Sequence, residues 1–229
     1  MKRFWKQVAV ADDAAGFAIQ LDGRPVRTPA RASLVVPTRA LSDAIAAEWQ
    51  AQGDDIDPRS MPLTGLANAA IDHAATDPAA FAATLTPFAE TDLLCYRDDR
   101  EAELAAEQAA AWNPLLAWAE ARYGIEFTLA SGVMHVAQPA ATIAALQTAL
   151  HALPPFRLAA IAPLVTISGS LVAALAVESG ARDAAELWPI IGLDQLYQER
   201  RWGSDAQAQA QRAAHERDWL NAARFLDLL

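Results

Sequence analysis

A chain of 229 residues with 53% hydrophobic and 20% charged side chains can fold as one large domain or two modest ones, and its composition excludes a disordered or low-complexity class. The formal net charge of −10 works against sequence-independent phosphate binding, which gains its affinity by replacing counterions with Lys and Arg, so nucleic acid is not an expected partner. The single cysteine, Cys95, excludes an internal disulfide framework and a cysteine-based zinc site, and it suits a reducing compartment.

From Phe4 to Val36 short apolar alternation is broken by turn signals. Gly16-Phe17-Ala18-Ile19-Gln20-Leu21 leads into Asp22-Gly23, a hairpin dipeptide, and a further strand is predicted over Leu34–Val36. Pro25 and Pro29 prevent full backbone donation between them, which places that segment at a sheet edge or strand end. Thr38 caps a helix on which Leu41, Ile45 and Trp49 recur along one stripe, so all three are assigned to packing. After the turn-rich Gly53–Pro58 loop, Leu66–Ala75 reads as a short helix.

Beyond Asp77-Pro78 the chain turns Ala-rich and helical. Helices are predicted over Pro78–Leu85, Phe88–Tyr96, Glu101–Tyr123 and Ala140–Ala152, with a strand or extended link at Phe127–Val133. Ala159–Val177 carries no charge and is about as long as a membrane-spanning helix. Pro163, Thr166 and Ser168-Gly169-Ser170 interrupt it, which suits two adjoining buried helices, so no membrane insertion is expected. Two further helices follow, Asp183–Arg200 and, capped by Ser204, Asp205–Leu226. The fold class is therefore α+β: a small N-terminal alpha/beta domain, residues 1–76, followed by a larger all-helical domain, residues 77–229.

Signals for chemistry are absent. His73, His135, His151 and His215 are scattered, and Asp54, Asp55 and Asp57 lack the ligand spacing of a calcium loop, so no metal and no cofactor are expected. Ser168 and Ser170 lie outside a nucleophile elbow and read as hydroxyls bonding helix carbonyls, and no phosphate-cradling glycine loop occurs. An enzyme would need Ser170, His73 or Asp92 gathered in one pocket; neither catalysis nor a small-molecule substrate is expected. The seven tryptophans suit a protein that binds other proteins, although most belong to a core.

Several motifs, in order along nearly the whole chain, carry a family resemblance. They are Arg3-Phe4-Trp5-Lys6, Leu21 through Pro29, Glu48-Trp49, Met61-Pro62-Leu63-Thr64, Thr91 through Arg97, Trp112 through Leu116, Ser168 through Val172, and Leu193-Asp194 through Gln198 to Trp202-Gly203. Together they resemble the F1-ATPase alpha-subunit assembly chaperones of mitochondria and alphaproteobacteria. The resemblance implies an alpha/beta domain before a helical one, and a protein that holds unassembled alpha subunit by covering the surface a beta subunit later takes. It also implies that Asp194, with Gln195 and Gln198 on the same motif, contacts the client; Gln195 stands where a second acid is common in the family. Lys2 and Lys6 are the only lysines, and the start lacks the apolar stretch of a signal peptide, so the expected location is the bacterial cytoplasm, with the mitochondrial matrix for eukaryotic relatives. The alternative is a non-catalytic binding module with a different protein client, since a fold does not fix its partner.

Overall fold

The computed structural model describes residues 2–229. The chain packs as two compact units. The first runs to Phe81 and takes in Pro154–Ala160 and Asn221–Leu229; the second comprises Ala82–Leu153 and Ile161–Leu220.

In the first unit, β1 (Val8–Asp13) and β2 (Gly16–Leu21) form an antiparallel hairpin with Val10 opposite Ile19. β3 (Arg24–Pro25) and β4 (Val35–Val36) pair with the other edge of β2, opposite Gln20–Leu21 and Phe17–Ala18 respectively. The turn from β2 to β3 is Asp22-Gly23, both left-handed at φ 48° and 74°, as a two-residue turn matched to strand twist requires. The Asp22 carboxylate accepts the amides of Gln7 (2.8 Å) and Lys6 (3.1 Å), which pins the N-terminal segment and holds the carboxyl below its usual pKa.

Helix α1 (Arg39–Gln50) packs on β1, β2 and β4, with Thr38 Oγ1 capping the Leu41 amide at 3.2 Å. Leu41 and Ile45 are fully buried. Trp49, one turn further on, is only half-buried and sets its ring edge against the buried Trp5 at 5.1 Å. It sits at the rim of the core because the helix ends one residue later. Helix α2 (Pro62–Ala69) begins before the predicted Leu66. Pro62 suits its first turn, and Glu48 reaches over to accept the amides of Leu63 and Thr64, both at 2.8 Å, and the Thr64 hydroxyl at 2.7 Å. The helix then widens into a π turn, Ala70–Ala74.

The second unit holds α3 (Pro78–Ala83) only in part, then α4 (Pro87–Glu90), β5 (Tyr96–Arg97), α5 (Ala102–Tyr123), β6 (Ala130–Ser131) and α6 (Ala140–His151). β5 and β6 pair in parallel. The charge-free stretch forms α7 (Pro155–Ser168) and α8 (Leu171–Glu178), parted at Gly169, whose φ of 69° no ordinary helix residue adopts. Residues 171–177 are all buried, so α8 is a central helix that packs on α4, α5 and α9 (Ala184–Ile191). No helix among the described residues is long and apolar enough to cross a membrane.

Besides α2, three predicted elements differ. The helix expected over Phe88–Tyr96 is α4, a 3-10 turn at Leu93–Cys95 and β5, because Asp92 turns its side chain onto backbone amides and ends the helical ladder. The helix expected over Asp183–Arg200 divides at Gly192 into α9 and α10 (Leu193–Trp202). The last helix, α11 (Ala206–Asp227), is capped by Asp205 rather than Ser204, its Oδ2 accepting the Ala208 amide at 2.8 Å.

Candidate functional site

The motif residues of the second unit converge in space. Asp92 is fully buried and accepts the amides of Leu94 (3.0 Å) and, from the start of α8, Val172 (2.9 Å), with the Ser170 hydroxyl as a further donor. Ser170 Oγ in turn accepts the Ala173 amide at 3.0 Å, and Leu93 donates its amide to the Gly169 carbonyl. Ser168 returns its hydroxyl to the Leu164 carbonyl, the helix bonding expected of it, whereas Ser170 is a cap. Thus the Thr91–Arg97 and Ser168–Val172 segments form one lock. Burial pushes the Asp92 carboxyl up to about 6 against the pull of its donors. Ser170 and Asp92 are spent on caps, and His73 lies in the π turn of the other unit.

Cys95, one turn along the lock, is buried, and burial pushes its thiol up to about 12 with the Asp92 charge adding to the effect. It therefore stays protonated and covered at neutral pH. Native protein at pH 8 should not react with an aromatic disulfide reagent within an hour and should release one equivalent of chromophore in denaturant; prompt native reaction would show that the lock opens.

Beside the lock lies an open cleft of about 390 Å³, lined among others by Arg97, Asp98, Gln108, Trp112 and Asp194. Asp194 sits in the first turn of α10, where a negative charge is favoured by the helix dipole. Gln108, buried on α5, donates Nε2 to Asp194 Oδ1 at 2.8 Å and accepts the Asp98 amide at 2.7 Å through Oε1, which fixes the carboxylate. Asp194 Oδ2 takes no hydrogen bond among the described residues. Arg97 donates to the carbonyls of Leu94 and Tyr96 and to Asn113 Oδ1 (2.7 Å), and its guanidinium lies over the Trp112 ring at 5.2 Å. Burial lowers the Arg97 pKa, opposed by the Cys95 and Asp194 charges. Trp112 is 1% exposed and donates Nε1 to the Ile190 carbonyl at 2.8 Å, tying α5 to α9 just before the bend that starts α10.

Gln195 and Gln198, predicted beside Asp194, line a different cleft of about 350 Å³ with Trp202, Asp205, Arg212 and His215. Gln195 points about 100° from Asp194 around α10, whereas Gln198 lies about one turn further along the helix, toward Trp202. Gln108, Arg97 and Trp112 were not singled out as partners of Asp194. Arg97 and Trp112 are signalled in the sequence by membership of the same set of motifs, and Gln108 by nothing, because hydrogen bonding across 86 positions leaves no local trace.

Asp92 and Ser170 are consumed in capping, while a fixed carboxylate and a stacked guanidinium face an open cleft. A family model described as ATP12 chaperone protein matches residues 2–120. The solved structure of Atp12 from Paracoccus denitrificans is 40% identical, with a TM-score of 0.94 over 99% of this chain and 97% of its own. A second solved structure, from Agrobacterium tumefaciens, is also 40% identical, with a TM-score of 0.93 over 99% of this chain and 85% of its own. Mitochondrial atp12 of Schizosaccharomyces pombe is 27% identical in an alignment 215 positions long that covers 89% of this chain and 74% of that protein. The chain belongs to the ATP12 family of F1-ATPase assembly chaperones, and it is a non-catalytic assembly factor with an α+β fold.

Proposed function

We propose that this chaperone binds the unassembled F1-ATPase alpha subunit in the bacterial cytoplasm, covers the interface that a beta subunit later occupies, and yields it when beta arrives. A ring subunit presents apolar interface before its neighbour is in place, and such surface associates wrongly at ordinary concentrations. The observation that supports a specific contact is Asp194, its charge fixed by Gln108 at the wall of an open cleft. A preorganised charge costs no ordering when a client binds. Gln195, on the next face of α10, and Gln198, about one turn further along it, extend the same client contact as polar rim.

The test is light scattering of isolated alpha subunit at assembly temperature with equimolar chaperone, with beta subunit as control. Selective suppression for alpha is expected; equal suppression of both, or none, would assign the chaperone another client. Asp194→Lys should lower alpha affinity at least tenfold and the melting temperature by a few degrees with the fold retained, because it orphans the Gln108 donor and sets a cation in the first turn of α10. Asp194→Asn, which keeps an acceptor for Gln108, separates loss of charge from loss of position.

A further inference from the structure

Residues 129–136, which include β6 and the start of the link to α6, carry four exposed large apolar side chains: Leu129 at 49%, Val133 at 96%, Met134 at 75% and Val136 at 38% of full exposure. Exposed apolar side chains scattered singly need no account, but four within eight residues make a patch. The segment is also held in shape. At its base Gln138 and Thr128 exchange two hydrogen bonds, Thr128 N to Oε1 at 3.0 Å and Nε2 to the Thr128 carbonyl at 2.8 Å. His135 is placed between Glu90 (Nε2···Oε1 3.0 Å) and the Tyr96 hydroxyl (3.4 Å to Nδ1). Gly132 donates its amide to the Arg97 carbonyl at 2.8 Å and takes φ 75°, which favours glycine, and the Asp99 carboxylate lies against the side where a Cβ would stand.

We infer that residues 129–136 are a preformed docking loop whose apex, Val133 and Met134, enters an apolar hollow on the alpha subunit while the Asp194 carboxylate beside it meets a basic side chain there. This rests on the reading of alpha as the client. Gly132 and Val133 line the same cleft as Asp98, Asp99 and Asp194, so the apex and the fixed carboxylate form one continuous surface. An apolar centre with a charged rim is the anatomy of a protein interface, and a thioether adapts its shape to the surface it meets. The cleft carries three carboxylates against the guanidiniums of Arg97 and Arg100; Arg97 is committed to carbonyls and Asn113, Arg100 lies 4.0 Å from Asp99, and Asp98 accepts the amides of Arg100 and Glu101, which leaves Asp194 as the carboxylate open to a cation. That balance, on a chain of net charge −10, favours a basic protein surface and repels an anionic lipid headgroup.

The test compares wild type with a Val133→Ser/Met134→Ser double variant by titration against isolated alpha subunit. Affinity should fall at least tenfold, with the melting temperature unchanged because both side chains already lie in solvent, and a photo-crosslinker at position 133 should join the wild-type chain to alpha. Equal affinity of variant and wild type would overturn the loop inference and leave the client reading intact. Failure of wild type to bind alpha would overturn both. A variant that keeps alpha affinity but loses co-sedimentation with phosphatidylglycerol vesicles, or loses self-association on gel filtration, would assign the apex to a membrane or to a second copy instead.

Discussion

Asp92→Ala should lower the unfolding free energy by about 3 kcal/mol at pH 7. The substitution leaves the buried amides of Leu94 and Val172 and the Ser170 hydroxyl without their acceptor, and each orphaned buried donor costs about 1–3 kcal/mol. Relief from burying a carboxylate offsets part of that sum. The same residue gives a pH signature. Its carboxyl is raised from 3.8 to about 6 in the fold, so the native state binds the proton more tightly than the unfolded chain, and the contribution favours folding below about 6 and is lost as pH rises through it. Urea unfolding should show wild type gaining about 1 kcal/mol relative to Asp92→Asn between pH 7 and pH 5. A difference independent of pH would show that Asp92 is not the group titrating. A loss under 1 kcal/mol in Asp92→Ala would show that the lock between Thr91–Arg97 and Ser168–Val172 is not what holds α8 in place.

Trp112→Ala should cost about 4 kcal/mol, the range for removing a buried aromatic ring. The indole is 1% exposed, anchors the Ile190 carbonyl and carries the Arg97 guanidinium on its face, so its loss removes packing, a hydrogen bond and a cation–π contact together. For a chain of this length that corresponds to roughly 10 °C in melting temperature. Trp112→Phe keeps most of the ring and loses the hydrogen bond, and should cost about half as much. A melting temperature within 3 °C of wild type in Trp112→Ala would show that Trp112 does not fix the helix preceding α10.

Local signals carried the parts of the fold that local chemistry decides. Asp22-Gly23 gave its turn, Thr38 its cap, and Ser168-Gly169-Ser170 the break between α7 and α8, because each acts on amides within a few positions. What misled was side chains acting at a distance. Glu48 starts α2 from across a loop, and Asp92 starts α8 from eighty positions away while ending the helix it was assigned to. The stripe of Leu41, Ile45 and Trp49 identified the packing face of α1, but a helical period does not reveal where the core stops, and Trp49 lies at that rim. Nor does a composition shift reveal that the chain returns: Pro154–Ala160 and Asn221–Leu229 belong with the first unit.

The site was legible as a motif and not as a geometry. Asp194 stood out through resemblance, yet Gln195 and Gln198 line another cleft, and the residue that holds Asp194, Gln108, comes from α5. Most family motifs prove to be scaffold: Trp5 packs on Trp49, Glu48 caps the Met61–Thr64 segment, and Arg97 binds Asn113. Of the motif residues, Phe4 and Trp202 stay exposed and Asp194 partly so, at the wall of a cleft.

Gel filtration of purified alpha subunit with this chaperone, followed by addition of beta subunit, tests the central claim most directly. The account predicts a one-to-one complex with alpha from which the chaperone is released as beta enters. A stable ternary complex, or no co-elution with alpha at any stoichiometry, would contradict it.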